Sequence, residues 1–293
     1  MAQQKNILFI MFDQLRFDYL SCAGHPHLHT PHIDRLAEKG VRFTRAYVQS
    51  PQCGSSRMSY YTGRYVHSHG AHRNNFPLKV GEQTLGDHLR ASNMDAYLIG
   101  KTHMKADSEG MERLGISHDG IIGARVAECG FDIWVRDDGL WAEGPDGFYD
   151  QKRSPYNEYL KSQGYPSDNP WQDHANAGIK DGDKATGWFF NNTDLPANIR
   201  EEDSETPWLT SRAIDFIDQA DGPWCAHVSY IKPHWPYIVP APYHDMYGAD
   251  DVPPAVRSDV ELQNTHPVQR AFMDRKVSTA FSTPGVREKV IPA

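Results

Sequence analysis

The sequence predicts an α/β fold, in which buried strands alternate with amphipathic helices. Residues 6–12 contain a continuous apolar run, which is typical of a strand buried on both faces of a sheet. Shorter apolar runs occupy residues 95–99 and 224–231, and helical patterns separate the three. Strands that alternate with helices favour a central sheet with helices packed against it.

The individual elements follow from local signals. The first helix is predicted to begin at Pro31, with Thr30 as its N-cap and Gly40 as its stop signal. The other elements are assigned from the spacing of apolar residues. The complete prediction consists of strands at 6–12, 41–48, 95–99 and 224–231, and of helices at 31–38, 54–62, 82–92 and 208–220.

Residues 105–205 differ from the rest of the chain. Glycine, aspartate, asparagine, proline and tryptophan are frequent there, apolar periodicity fades, and turn signals recur. Two interpretations remain open: a long surface excursion, or a specificity lid whose aromatic side chains line a pocket for the organic part of a substrate. The candidate lid residues are Phe148, Tyr149, Trp171, Trp188 and Phe189.

Composition and charge exclude several classes of protein. A formal net charge of −8 gives no general attraction for nucleic acids or acidic membranes, so any anion selectivity must be local. The first apolar run is too short for a secretory signal or a membrane span. The 4 cysteines are scattered without metal-binding spacing. These features together predict a cytoplasmic protein with reduced cysteines.

The segment from Ser50 to Arg64 carries the strongest functional signal. Cys53 precedes a short helical pattern, and Arg57 follows it one turn later. The first turn of a helix offers unpaired amide groups and the positive end of its dipole, which favour an anion. The alternative is that Cys53 is a buried apolar side chain and Arg57 a solvated one.

Polar residues follow each of the predicted central strands. Asp13 and Gln14 come directly after the first strand, and their oxygen atoms suit a hard divalent cation, although Asp13 could also cap a turn. Lys101 and His103 follow the strand at 95–99, and His234 lies in a proline-bracketed loop after the last strand. Ligands gather at the carboxyl ends of strands in open α/β sheets, so these residues are predicted to form one site.

In these motifs the sequence resembles the sulfatase branch of the alkaline phosphatase superfamily. The resemblance covers most of residues 5–104 and again about 208–248. It implies an alkaline-phosphatase-like mixed central sheet with helices on both faces. It also implies that the motif cysteine is oxidised by a formylglycine-generating enzyme to formylglycine, whose hydrate is the nucleophile, and that the site holds Ca²⁺ or Mn²⁺.

The resemblance also implies a role for each candidate residue. Asp13 and Gln14 resemble metal ligands, together with the nucleophile derived from Cys53. Arg57 resembles the stabiliser of that nucleophile, and Asn74 the amide that helps to hold it. Lys101 and His234 resemble the cations that bind substrate oxygens. His103 resembles the group that accepts the proton of the second hydroxyl.

Two departures from the family pattern stand out. Ser55 occupies a position where the family usually has proline or alanine, which puts conversion of Cys53 in question. The family also supplies a later Asp-His pair and a lysine, which residues 250–293 lack. Asp87-His88 is assigned to a helix surface and Asp173-His174 to a polar region. We therefore expect residues 1–293 to be the N-terminal part of a single catalytic domain, apparently truncated after residue 293, in which a helix begins after Pro284.

The expected activity is hydrolysis of sulfate esters, as in an arylsulfatase, with promiscuity toward phosphate diesters and phosphonate monoesters. Lys101 beside His103 favours this reaction, whereas Asp13-Gln14 and the segment from Pro233 to Tyr247 resemble phosphonate monoester hydrolases, which are the first alternative. A second alternative is an inactive fragment that lacks half of the metal site. A monoesterase using Ser55 or Ser56 is disfavoured. Homo-oligomerisation is left open.

Overall fold

Four parallel strands form the central sheet of the structure, a computed structural model that describes residues 5–139, 154–254 and 258–271. The strands of the described residues are β1 (Ile7–Phe12), β2 (Asp95–Gly100), β3 (Asp132–Arg136), β4 (Ala177–Lys180), β5 (Asp183–Thr186) and β6 (Trp224–Tyr230). The central sheet has the order β1-β6-β2-β3, and β4 and β5 form a separate antiparallel hairpin.

Short and medium-length helices connect and cover these strands. Glycine ends several of them in a left-handed conformation, as Gly63 does with φ 66° after the second helix. The helices are α1 (Pro31–Lys39), α2 (Cys53–Thr62), α3 (Val66–His69), α4 (Leu85–Ala91), α5 (Ser108–Arg113), α6 (Ile121–Ala127), α7 (Pro155–Ser162), α8 (Glu205–Gln219) and α9 (Asp259–Gln263).

The chain divides into two compact units. The first consists of residues 5–15, 43–139, 154–171 and 202–234, and it contains the central sheet. The second consists of residues 16–42, 172–201, 235–254 and 258–271, and it contains α1, the β4–β5 hairpin and α9. All the residues that the sequence singles out for a site lie in the first unit.

Helices cover both faces of the central sheet. Side chains alternate between the two faces along β2. Leu98 belongs to a buried cluster that includes Met58 of α2, with Leu89 of α4 packed against it. Tyr97 points to the other face, where its ring lies 4.9 Å from that of Phe216 in α8. The predicted α/β class with helices on both faces is therefore confirmed.

The position of β1 in the sheet differs from the prediction. Its apolar run predicts a strand buried on both faces, yet Ile7, Leu8 and Ile10 are 42%, 46% and 45% exposed. Within the described residues β1 pairs only with β6 and forms one edge of the sheet. The buried centre is β6 instead, where all seven residues are buried. A sequence pattern reports how apolar a strand is, but the strands that flank it decide whether it is covered.

Other predicted elements are confirmed with small shifts, and one is wrong. The helix predicted at 208–220 begins three residues earlier, at Glu205. No strand forms at 41–48, where Val41 and Phe43 are 79% and 82% exposed, so their apolar character does not reflect burial. The central sheet is parallel throughout the described residues, and the mixed sheet that the family resemblance implies for the whole domain stays a prediction.

The segment 105–205 contributes more to the fold than its composition predicts. It supplies β3, which pairs with β2 in the central sheet, although only turn signals are evident in this part of the sequence. Trp171 is 3% exposed and donates to Glu205 Oε1 at 2.8 Å, so its indole is part of a core. In the second unit Trp188 donates to Gln172 Oε1 at 2.6 Å and packs against Trp235, while Phe189 is 42% exposed.

Some predictions fall on positions outside the described residues. They are the lid candidates Phe148 and Tyr149 and the helix after Pro284. Among the residues that are described, no helix has the length and apolar character needed to cross a membrane.

A buried histidine anchors α2 to the centre of the sheet. His227 on β6 is fully buried, and its Nε2 lies 2.8 Å from the hydroxyl of Tyr61 on α2. Burial, with the charge of Arg57 as a smaller cause, lowers the pKa of His227 to about 3. The imidazole is therefore neutral in the folded protein at moderately acidic pH.

This histidine predicts a pH-dependent stability. Unfolding exposes a histidine that takes up a proton below its ordinary pKa of about 6.5, whereas the folded form does so only near 3. The free energy of unfolding should therefore fall as the pH drops from about 6.5 toward 4, by about 1.4 kcal/mol per pH unit from this group. Urea unfolding of the native protein and of His227→Gln across this range measures the contribution.

The expected result is a shallower pH dependence in His227→Gln. The exposed His88 offers a matched control, because His88→Gln should keep the native dependence. Equal slopes in the native protein and in His227→Gln would contradict the assignment of a neutral buried imidazole.

Candidate active site

Three parallel strands of the central sheet are followed by polar residues, which lie at the carboxyl ends of the strands. Asp13 directly follows β1, and its amide donates to the Tyr230 carbonyl at 3.0 Å. Lys101 directly follows β2, and its amide donates to the Ser229 carbonyl at 3.2 Å. Because β1 and β2 flank β6 on either side, these two bonds fix both residues beside the end of β6. His234 lies four residues beyond that end.

Helix α2 places Cys53 near the same carboxyl ends of the strands. Cys53 is the first residue of α2, and its Sγ lies 3.5 Å from Nδ2 of Asn74. The same amide side chain accepts a hydrogen bond from the Gly54 amide at 2.8 Å, which satisfies one of the unpaired groups of the first helical turn. A Cβ at Gly54 would lie 2.9 Å from Asn74 Oδ1, so only glycine permits this approach.

Arg57 is buried beneath the site and joins it to the sheet. Its side chain is only 4% exposed. Its Nη1 donates to the Lys101 carbonyl at 2.8 Å and to the Ser229 hydroxyl at 3.0 Å. Its Nη2 lies 3.5 Å from Asp13 Oδ2. The arginine that the sequence placed near an anion therefore lies beside a carboxylate of the protein and also bonds to the sheet.

Asp13 is the acidic centre of a buried cluster of charges. Its Oδ2 lies 2.8 Å from Nζ of Lys101, and both side chains are nearly inaccessible. Burial by itself would raise the pKa of the Asp13 carboxyl, but the charges of Lys101 and Arg57 outweigh burial and hold the pKa below its ordinary value. Asp13 is therefore an ionised, buried carboxylate at neutral pH.

His103 is the close partner of the Cys53 thiol. Burial would raise the pKa of this thiol, but a hydrogen bond and charge from His103, with the charge of Lys101, lower it. His103 has a left-handed backbone with φ 58°, and Gln14 has φ 64°. Such conformations are uncommon for residues with a side chain and cluster at functional sites.

A group of atoms that could hold a metal ion also lies at the carboxyl ends of these strands. Ligand atoms of Asp13, Cys53 and His234 all lie within 4.8 Å of one another. A cavity of about 430 Å³ is lined by these residues and by Gln14 and Arg57. The ionised carboxylate of Asp13 suits a divalent cation, and an oxygen in place of the Cys53 sulfur would make the set more suitable for Ca²⁺ or Mn²⁺. The donor set therefore fits a metal that is anchored on Asp13.

The sequence-predicted residues thus lie together. Asp13, Arg57 and Lys101 are in direct contact with one another, Cys53 contacts Asn74 and His103, and Asp13, Gln14, Cys53 and Arg57 line the same cavity. The imidazole of His234 lies within 4.8 Å of ligand atoms of Asp13 and Cys53, and its role as a substrate ligand stays a prediction.

The Asp-His pairs set aside in the sequence lie elsewhere. Asp87 accepts bonds from the amide and hydroxyl of Thr84 at the start of α4, where it completes a helix cap. In the second unit Asp173 pairs with Lys184, and His174 contacts Asn198. These contacts are structural.

Sequence reasoning missed one acidic residue of the network. Asp138 follows β3 closely, and its Oδ1 lies 3.7 Å from Nζ of Lys101. The signal was present, because two aspartates come directly after the strand segment that ends in Val135-Arg136. Turn signals dominate this part of the sequence, so the sequence predicts no strand before the two aspartates.

The buried position of Arg57 predicts a large effect on stability. Arg57→Met should lower the free energy of unfolding by about 3 kcal/mol, because Asp13 loses one of its two buried cationic partners and the Ser229 hydroxyl loses its buried donor. Urea unfolding measures the loss. Arg64, an arginine just after α2 with a side chain 45% exposed, offers a control: Arg64→Met should cost less than about 1 kcal/mol. Equal losses in the two variants would contradict a structural role for Arg57.

Comparisons with known proteins agree with this arrangement. A sequence profile described as Sulfatase matches residues 5–255. The multifunctional alkaline phosphatase superfamily protein PehA of Trinickia caryophylli is 29% identical over 92% of this chain and 50% of its own length. An arylsulfatase of Clostridium perfringens is 27% identical over 87% of this chain and 48% of its own length. The chain therefore spans about half the length of these curated relatives.

Solved structures give the same picture. The phosphonate monoester hydrolase of Agrobacterium radiobacter has a TM-score of 0.71 and 28% identity, over 92% of this chain and 49% of its own. The phosphonate monoester hydrolase SpPMH of Silicibacter pomeroyi has a TM-score of 0.72 and 28% identity, over 99% and 53%. From its sequence motifs, its parallel sheet and the profile match over residues 5–255, this chain belongs to the sulfatase family, within the alkaline phosphatase superfamily.

Proposed function

We propose that this chain carries the nucleophile and part of the metal site of a hydrolase that cleaves sulfate esters. The observation that supports the proposal is the meeting of Cys53, an ionised Asp13 and His234 at one cavity, with Arg57, Lys101 and His103 in contact with them. The proposed nucleophile is formylglycine, made from Cys53 by a formylglycine-generating enzyme. The proposal concerns a whole enzyme, because the chain spans about half the length of its curated relatives.

The metal would be held by Asp13, Gln14 and the modified residue 53, and His234 beside them would bind a substrate oxygen. Bound there, Ca²⁺ or Mn²⁺ would favour the ionised form of the attacking hydroxyl and neutralise charge on the substrate. Asp13 is suited to this role because it is ionised and fixed in place by two cations. The carboxylate therefore loses little conformational freedom when it binds a metal.

Other residues of the chain would orient the nucleophile, bind the substrate and transfer protons. Asn74 holds the first turn of α2, so residue 53 keeps a fixed direction. The ammonium group of Lys101 would bind a sulfuryl oxygen, where negative charge grows in the transition state. His103 contacts the side chain of residue 53 and would take the proton of its second hydroxyl when the product anion leaves. Arg57 would stabilise the negative charge of the nucleophile by proximity.

Phosphonate monoesters are the second candidate substrate class. Both solved structures compared above are phosphonate monoester hydrolases, with TM-scores of 0.71 and 0.72. Sulfate monoesters and phosphonate monoesters both carry one negative charge on a tetrahedral centre, so the same cations would bind either. We rank sulfate esters as the first candidate because Lys101 lies close to His103 in the sequence.

Further properties belong to the same proposal. We expect a cytoplasmic enzyme whose only obligatory macromolecular partner is the formylglycine-generating enzyme, and homo-oligomerisation is left open. Ser55 has its own structural role, since its hydroxyl lies 2.7 Å from that of Ser50 and 3.3 Å from the Gln52 carbonyl. Its effect on maturation must therefore be tested separately from its effect on folding.

The nucleophile gives the first test of the proposal. Peptide mass spectrometry of protein produced together with a formylglycine-generating enzyme should show an aldehyde at position 53. Cys53→Ala should lower turnover of an aryl sulfate by about 10³-fold or more, because no nucleophile remains. Ser55→Ala is the matched variant, and it should raise the converted fraction while it keeps the activity of each converted molecule.

Two results would contradict this assignment. One is an unmodified Cys53 in protein that hydrolyses the ester at full rate. The other is full activity in Cys53→Ala. An absence of any increase in melting temperature at saturating Mn²⁺ or Ca²⁺ would favour the inactive-fragment alternative instead.

Relative rates on two esters test the substrate class. The kcat/KM for 4-nitrophenyl sulfate should exceed that for 4-nitrophenyl phenylphosphonate, because the leaving group is the same and only the transferred group differs. Lys101→Gln should reduce the sulfate reaction more than the phosphonate reaction. Much faster hydrolysis of the phosphonate by the native protein would reverse the order of the two candidates.

A further inference from the structure

Asp138 occupies a position that the pairing of β2 with β3 determines. Gly100 at the end of β2 pairs with Arg136 at the end of β3, and the Asp137 amide donates to the Gly100 carbonyl at 3.2 Å. The residues that follow the two strands are therefore neighbours. This pairing brings Asp138 near Lys101, 37 positions earlier in the chain.

Lys101 has two carboxylate neighbours, and they differ in what else they must do. Its Nζ lies 2.8 Å from Asp13 Oδ2 and 3.7 Å from Asp138 Oδ1. Asp13 is a proposed metal ligand, so its oxygen would be engaged by the cation in the working enzyme. Asp138 has no such role, and it can stay beside the ammonium group while Asp13 binds the metal.

Asp138 is itself held in place by buried charges. Its Oδ2 lies 3.5 Å from Nη2 of Arg136, whose Nε lies 2.6 Å from Oε1 of Glu128. The side chains of Arg136 and Glu128 are 3% and 1% exposed, and Glu128 accepts a bond from the Thr102 hydroxyl. The contacts therefore form a series of alternating charge: Glu128, Arg136, Asp138, Lys101 and Asp13. Asp138 links the Glu128–Arg136 pair to the Lys101–Asp13 pair.

We propose that Asp138 is a positioning residue, which holds the ammonium group of Lys101 where it binds a substrate oxygen. The inference rests on the proposed role of Lys101 as an anion ligand. Without Asp138, Lys101 has Asp13 as its remaining close carboxylate partner, and a bound anion must compete with Asp13 for the ammonium group. The structure therefore assigns Asp138 a part in the reaction, although it does not line the cavity that contains Cys53.

Binding of inorganic sulfate tests this role directly. With Mn²⁺ present, calorimetry should give Asp138→Asn a dissociation constant for sulfate about tenfold higher than that of the native protein. This direction is informative, because removing a negative charge near the site should tighten anion binding if Asp138 were only part of the electrostatic background. Asp138→Glu should recover part of the native affinity.

Asp137 provides the matched control. Burial and the neighbouring Glu205 raise the pKa of the Asp137 carboxyl well above its ordinary value, so this side chain is neutral. Asp137→Asn therefore makes the same substitution one residue away without a change of charge. It should leave the sulfate dissociation constant within about twofold of the native value.

A double-mutant cycle separates positioning from a general structural effect. In a Lys101→Gln background, Asp138→Asn should have no further effect on sulfate binding, because the group that it positions is gone. An equal loss in both backgrounds overturns the proposal. So does native or tighter binding in Asp138→Asn, and so does a native protein that binds no sulfate.

The same variants distinguish this inference from the proposed function. Native protein that shows the expected binding pattern but hydrolyses neither ester refutes the proposed function and supports the positioning role. Native protein that hydrolyses aryl sulfate, with unchanged kcat/KM and unchanged sulfate binding in Asp138→Asn, refutes the positioning role alone.

Discussion

The site depends on the buried contact of one carboxylate with two cations. Asp13 lies beside Lys101 and Arg57, and all three side chains are almost completely removed from water. Each charge alone would be costly in such a place, and together they stabilise one another. The contacts also tie together three separate elements, because Asp13 follows β1, Lys101 follows β2 and Arg57 belongs to α2. The geometry around Cys53 therefore depends on this cluster.

Strand β6 gives the cluster its rigid base. All seven of its residues are buried, and two of them hold α2 through side-chain bonds. The Ser229 hydroxyl accepts from Arg57, and the imidazole of His227 bonds to the hydroxyl of Tyr61. Arg57 and Tyr61 are four residues apart, so they lie on the same face of the helix. Two polar contacts on one face fix how far α2 reaches along the sheet, and so where Cys53 lies.

The edge of the central sheet that β1 forms is less completely covered. β1 is an edge strand among the described residues, and three of its apolar side chains remain more than 40% exposed. Natural edge strands usually carry charges or prolines that prevent pairing with other strands, and the apolar run of β1 has neither. The chain spans about half the length of its curated relatives.

The sequence by itself determined the α/β class, four of the nine helices of the described residues, and which polar residues follow β1, β2 and β6. Those assignments rest on local signals: apolar periodicity, helix stop residues, and polar residues placed directly after strands. Tertiary structure alone decided that β6 rather than β1 is the buried centre, that 41–48 is not a strand, and that β3 joins the sheet from a turn-rich segment. It also decided that Asp138 belongs to the charge network. Burial and charge pairing depend on which distant segments lie side by side, and no local pattern contains that information.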